Sequence, residues 1–247
     1  MDIFRGMISH QVGDPSHLAG EISRLKADLV VLRLPAGEVS LPIELARRRL
    51  MLIHADTLVY YERNARLPAR QLPGNPSDLI QEAVAADQPE IEELAKIVFR
   101  QYRSHYHAHP KLDPEAIAAG YAEWASSCIS ESLNGNGGQP HIDRKTWVVR
   151  NDRKIIAFAT CMNDEVDGSV EILLNAVDPR HSGRGVYGSL LRHTVDFYRQ
   201  CNLERIRIST QVWNYTVQRA WVREGFLLTQ AYDTYHLHLD SHGIASE

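Results

Sequence analysis

The chain has 247 residues, 44% hydrophobic and 23% charged, with a formal net charge of −4, an ordinary globular composition with ample material for a core. The slight acidic excess argues against a nucleic-acid binder, and no apolar run approaches the ~20 residues of a membrane span. The opening MDIFRGMISH lacks an apolar signal core, and the scattered Cys128, Cys161 and Cys201 make neither a disulfide framework nor a metal motif; a cytoplasmic protein without metal or membrane attachment is expected.

Residues 29–34 (LVVLRL) and 57–61 (TLVYY) read as strands around a short helix at 42–50, with proline in its first turn. They make a small β-α-β subdomain over 1–66. The Pro- and Gly-rich stretch that follows, with Pro68, Pro73, Gly74 and Pro76, predicts a linker over 67–86. Asp87 and Glu90 form a capping signature. Behind them Ile91, Leu94, Ala95, Val98, Phe99 and Tyr102 keep helical spacing to about His105. Asp113-Pro114 opens a second helix with Ile117, Tyr121, Trp124 and Cys128 on one face. The loop between the two helices, RSHYHAHPK, holds Arg103, His105, His107 and His109.

After the Gly-rich break at 134–140 the period changes. Segments 146–150, 154–162 and 169–177 read as strands joined by short turns, hence antiparallel. A helix at 185–200, a strand at 205–211 and a helix at 216–224 closed by Gly225 follow. Two last strands are expected at 226–230 and 234–239. The main domain, 87–247, is therefore ααβββαβαββ: an α/β (α+β) chain with a mixed, mostly antiparallel sheet and helices on both faces.

Chemistry concentrates in two places. Strand 169–177 runs into Asp178-Pro179, then Ser182-Gly183-Arg184-Gly185, then a helix beginning Val186-Tyr187-Gly188. Glycines at a strand-to-helix turn let backbone N–H groups converge, and the helix N-terminus adds partial positive charge: an anion cradle suited to a pyrophosphate. Pro179 interrupts a sheet ladder, and a strand splayed there leaves backbone groups free for a ligand that docks like an added strand. Further on, Asn214, Val217, Trp221, Gly225 and Phe226 keep a distinctive spacing. Asn214 either caps its helix or bonds a ligand amide; Trp221 is either core or a wall of the site.

VDPRHSGRGVYGSLL (177–191) and NYTVQRAWVREGF (214–226) resemble the acyl-CoA loop and the later Asn…Gly-Phe segment of the GCN5-related N-acetyltransferase (GNAT) family, over roughly 87–239. YAEW (121–124), Gly183-Arg184-Gly185, STQ (209–211) and the N-terminal piece ending VYYER are similar to enzymes that acylate nucleotide-linked amino sugars, such as TDP-fucosamine acetyltransferase.

The resemblance implies a GNAT fold and an acyl-CoA co-substrate held by Ala176, Val177, Ser182–Gly188, Asn214 and Trp221. It implies an amino-sugar nucleotide of surface polysaccharide synthesis as acceptor, in contact with Arg103, His105, His107, Tyr121, Trp124 and Gln211. A homodimer through sheet edges is compatible with such a fold. The proton acceptor is expected at Glu171 or among the loop histidines, His107 first, and an oxyanion-stabilising amide near Ala176 or Val177. Three positions depart from the family: Ser182 stands where relatives usually have Gln or Arg, with Arg180 offering an alternative Arg-x-x-Gly-x-Gly register over 180–185, Tyr187 where they have Gly or Ala, and Trp221 where they have a Tyr that protonates the leaving thiolate. Indole N–H is a donor but no useful acid, so Tyr215 or water is the expected substitute. Two other readings stand beside this one: acylation of a protein amine or polyamine, and a non-catalytic acyl-CoA sensor.

Overall fold

The structure, a computed structural model, describes residues 2–9, 12–70, 80–110, 112–134, 139–201 and 203–239. Pro73, Gly74 and Pro76 of the expected linker, and 135–138 of the Gly-rich break, lie outside them. The strands are β1 (Ile3–Met7), β2 (Leu29–Pro35), β3 (Leu52–Asn64), β4 (Ile80–Glu82), β5 (Ile142–Asn151), β6 (Lys154–Asp164), β7 (Ser169–Val177), β8 (Arg205–Gln211) and β9 (Leu227–His238). The helices are α1 (Pro15–Ile22), α2 (Ser40–Arg47), α3 (Gln88–Phe99), α4 (Pro114–Leu133), α5 (Val186–Arg199) and α6 (Tyr215–Arg223). None of the described helices is long and apolar enough to cross a membrane.

Among the described residues nine strands form one sheet in the order β1-β2-β9-β3-β8-β7-β6-β5-β4. Only β1/β2 and β7/β8 pair in parallel, so the expected mixed, mostly antiparallel sheet is present. The two strands expected at the C-terminal end are one continuous strand, β9, because it has a partner along each edge, β2 and β3. The N-terminal piece also differs from the expected β-α-β: β1 and α1 precede it. Its last strand, β3, enters the main sheet between β8 and β9.

Helices cover both faces. Leu190, Leu191 and Val195 of α5 pack with Trp221 on Ala157, Ala159, Val170 and Ile172. On the opposite face α3 and α4 pack on Val148, Phe158, Leu174 and Ala176. α1 and α2 bury Val30, Leu32, Leu34 and Leu237. Local signals are partly realised. The Asp113 carboxylate accepts the Ala116 N–H at 3.1 Å and caps α4. Asp87 precedes α3 without capping it; its carboxylate accepts Val84 N–H and pairs with Arg150 at 2.6 Å. Glu90 accepts Ile155 N–H at 2.8 Å instead.

Ile172 and Leu174 are two apart on β7 yet belong to opposite faces, because Leu173 is an extra residue: Thr160 opposes Leu174 while Cys161 opposes Ile172. Such a bulge reverses the inside–outside alternation and bends the strand. Thr160, fully buried, secures it by accepting the Leu174 N–H at 3.1 Å. β7 pairs with β8 only from Ser169↔Arg205 to Ile172↔Ile208. The strands part where the bulge begins, well before Pro179.

Candidate active site

The parted strands open a cleft of about 1340 Å³ that runs from the start of α5 across the sheet to β1 and β2. This exceeds the ~300–1,000 Å³ usual for one small-molecule site, so it has room for two reactants. The Asp178 N–H bonds Ile156 O at 2.8 Å and the Leu174 N–H bonds Thr160 Oγ1. The even-numbered amides of β7 are therefore turned toward β6, and by the strand's alternation those of Asn175 and Val177 point into the opening. Of the two amides expected to stabilise an oxyanion, Val177 is so placed; Ala176 faces β6.

At one end of the cleft, Gly183 (φ 75°) and Gly185 (φ 81°) adopt left-handed conformations that a side chain would strain. Gly185 is the N-cap of α5 and no side chain caps the helix, so its first N–H groups keep their hydrogen-bonding capacity for a ligand. The turn is stiffened from behind. Asp178 accepts the Arg180 N–H at 2.9 Å and its guanidinium at 2.6 Å, which lowers the Asp178 carboxyl to about 2. Arg192 of α5 and Glu224 at the end of α6, both buried, pair at 2.7 Å and join the two helices that flank this end.

Ser182, Gly183, Gly185, Val186, Tyr187 and Gly188 all line the cleft; Arg184 does not. Asn214, at the start of α6, makes no cap; its Nδ2 donates to Thr210 Oγ1 at 3.1 Å, and the residue lines the cleft. Trp221 is both core and wall, 1% exposed and edge-on to Tyr61. Its Nε1–H donates to the Tyr187 hydroxyl at 2.5 Å. Two of the residues expected to depart from the resembled motifs thus touch each other: the Tyr187 phenol, on α5, is held by the Trp221 indole. Tyr215, the expected substitute acid, is 63% exposed and off the cleft wall.

In mid-cleft Glu171 lies near Arg207 and Arg33. Burial raises its carboxyl above the usual range against the pull of both cations. Tyr60 lies close by, its phenol raised by burial and by the Glu171 charge. Among the loop histidines only His105 lines the cleft. It is buried, with Nδ1 3.1 Å from His236 Nε2, and burial together with the Arg33 charge lowers it to about 3. His107 accepts the Ser104 N–H within its own turn and is off the wall, as is Arg103, whose carbonyl accepts Trp213 Nε1–H at 3.1 Å. Tyr121 stacks on Phe99 at 4.5 Å, Trp124 is 43% exposed at the cleft margin, and Gln211 is held by the Tyr102 hydroxyl. Sequence reasoning missed Arg5, Arg33, Tyr60 and Tyr102, which also line the cleft. The first three lie on the N-terminal strands, and Tyr102 reads as one more member of an apolar helical stripe.

Comparison with known proteins agrees with this geometry. The family model described as acetyltransferase (GNAT) family matches residues 92–226, more than half of the chain. Solved structures with the same fold include a GCN5-related N-acetyltransferase from Sphaerobacter thermophilus (TM-score 0.55, 16% identity, 85% of this chain and 60% of that one). Others are an acetyltransferase described as from the GNAT family of Novosphingobium aromaticivorans (0.52, 18%, 94% and 83%) and a tandem GNAT protein from the clavulanic acid biosynthesis pathway (0.59, 9%, 92% and 69%). The chain thus spans about 60% of the length of the first of these. A search of curated proteins gives no match. The parted parallel strands, the glycine turn at α5 and the matched segment identify the chain as a member of the acetyltransferase (GNAT) family.

Proposed function

We propose that the protein transfers an acyl group from acyl-CoA to the amine of a nucleotide-linked amino-deoxy sugar. The observation that carries the acyl-CoA half is the opening between β7 and β8, where inward-pointing amides on one strand lead to the uncapped start of α5. A pantetheine arm pairs with the amides and a diphosphate with the helix start. The acceptor half is supported by the size of the remaining cleft and by aromatic rings along it, with Trp124 at its margin.

In this reading Glu171 takes the amine proton, since its raised carboxyl is a better base at neutral pH than an ordinary carboxylate. His105, held near 3, is too weak a base for the task. Tyr187 takes the role expected of Tyr215. Its oxygen accepts from Trp221, and indole N–H can only donate, so the phenolic hydrogen is directed elsewhere and is available to the departing thiolate. Most of the barrier lowering comes from holding both reactants in one cleft, worth ~7–11 kcal/mol. The test is a thiol-release screen of acetyl-CoA and hydroxybutyryl-CoA against TDP- and UDP-amino sugars, with free hexosamines, polyamines and lysine peptides alongside. Turnover confined to polyamines or peptides would replace the acceptor assignment.

A further inference from the structure

Two guanidiniums enter the cleft from the N-terminal strands, and the chemistry above leaves them unused. Arg5 on β1 and Arg33 on β2 both line it. Met7 lies opposite Arg33 in the parallel β1/β2 pair, so Arg5, two residues before Met7, stands on the same face. That face also carries His236, the partner of Val31 in the β2/β9 ladder. It is the face opposite α1 and α2, which cover Val30, Leu32 and Leu34.

Of the other arginines, Arg192 on the cleft wall pairs with Glu224, and Arg207 beside Glu171 pairs with Glu62; Arg70 and Arg223 also line the cleft, both exposed. Among the described residues neither Arg5 nor Arg33 is in an ion pair. Arg33 Nε is buried without a hydrogen-bond partner, and the Arg5 guanidinium rests over the Tyr106 ring at 5.9 Å. His105, in the loop near both arginines, is held neutral and adds no further positive charge. The Glu171 and Asp56 carboxyls act on Arg33 from a distance without closing an ion pair with it, so both guanidiniums keep donors for an anion that arrives with a ligand.

We propose that Arg33 and Arg5 form a site for an oxyanion, phosphate or carboxylate, carried by the acceptor molecule at the end of the cleft remote from α5. The inference rests on the reading that Glu171 meets the acceptor amine. It gives the N-terminal strands the role of selecting an amine with an acidic group some distance away. A guanidinium fork matches both oxyanions in two-point fashion, which a lysine could not reproduce. The proposal takes this role from Arg103, which is off the cleft.

The experiment is calorimetric titration of the full chain saturated with acetyl-CoA, which occupies the α5 end, using three probes: TDP, inorganic pyrophosphate and glutarate. At least one should bind, and Arg33→Gln and Arg5→Gln should each weaken that binding at least tenfold, with acetyl-CoA affinity unchanged within threefold. Preference for TDP and pyrophosphate marks a phosphate site; preference for glutarate marks a carboxylate site. Arg33→Lys should recover less than half of the lost binding energy. Failure of every probe to bind, or unchanged probe binding in both glutamine variants, overturns the proposal. Failure of acetyl-CoA itself to bind overturns the acyl-CoA reading instead. The probes are then titrated into the unloaded protein, where the two glutamine variants decide the anion site by the same tenfold criterion.

Discussion

A hydrogen bond between two side chains decides what Trp221 can do. The indole N–H is consumed by Tyr187, which in the proposed mechanism makes the tryptophan a positioning residue and the phenol the acid. Tyr187→Phe should lower kcat with acetyl-CoA by about 10- to 100-fold, within the range of general acid–base assistance, while KM for acetyl-CoA moves less than threefold. An acetyl thioester of a more acidic thiol, which leaves unaided, should restore most of the rate; an equal loss with both thioesters would remove Tyr187 from proton transfer. Glu171→Gln should cost ~10²-fold or more in kcat/KM. The wild-type profile should have an acidic limb above the ordinary carboxylate value of ~4.3, since burial raises this carboxyl. The base works deprotonated, so activity falls as pH drops through that limb, and the limb disappears in the variant. Glu171 was legible in the sequence as an acidic residue in a strand beside the glycine turn. Tyr187 was legible only as an oddity, because its contact with Trp221 joins residues on different helices.

At the level of the element, the opening between β7 and β8 has a cause that periodicity could not reveal. Val170, Ile172, Leu174 and Ala176 are all buried, so the strand reads as regularly alternating. Both faces of the sheet are covered, and a bulge that exchanges faces therefore leaves the apolar pattern intact. Pro179, the visible signal, lies beyond the point of parting. Thr160 holds the bulge through the Leu174 amide. Thr160→Val conserves volume but strands that buried N–H at a cost of ~1–3 kcal/mol. The expected outcome is a protein that still folds, has a lower Tm and binds acetyl-CoA about tenfold more weakly, measured by thermal melting and calorimetry. Unchanged affinity would show that the opening is held by other means. The glycine turn, in contrast, was legible directly, since positive φ at two positions demands glycine. Gly185→Ala should cost ~1–2 kcal/mol in a left-handed conformation, seen chiefly as weaker acetyl-CoA binding if, as proposed, that backbone cradles the diphosphate.

For the whole molecule, the order of elements was readable from Asp87 onward, but the membership of the sheet was not. Local patterns identify strands; which edges meet depends on contacts far apart in the chain. β3 is wedged between β8 and β9, and β9 runs on to pair with β2, which brings His236 against His105. Each of these histidines is lowered by burial, to about 4 and about 3 respectively, against ~6.5 in an unfolded chain. The sign follows from which state binds more protons. Between about pH 6.5 and 4 the unfolded chain is protonated at both sites while the folded one is not, and for His105 that interval runs on to about 3. Stability should therefore be level above pH 6.5 and fall as pH drops below it, by up to ~1.4 kcal/mol per pH unit per histidine. Protonating both rings would also break the hydrogen bond between them, which needs one acceptor, and add charge beside Arg33. The check is Tm and chemical denaturation from pH 8 to pH 4 on the wild type and on His105→Gln/His236→Gln. The double variant should be less stable at pH 8, where the packing is disturbed, yet show a shallower decline between pH 6.5 and 4. An equally steep decline in both proteins would place the acid sensitivity in the carboxylates elsewhere. It would also leave the contact between the α3–α4 loop and β9 without a role in the acid response.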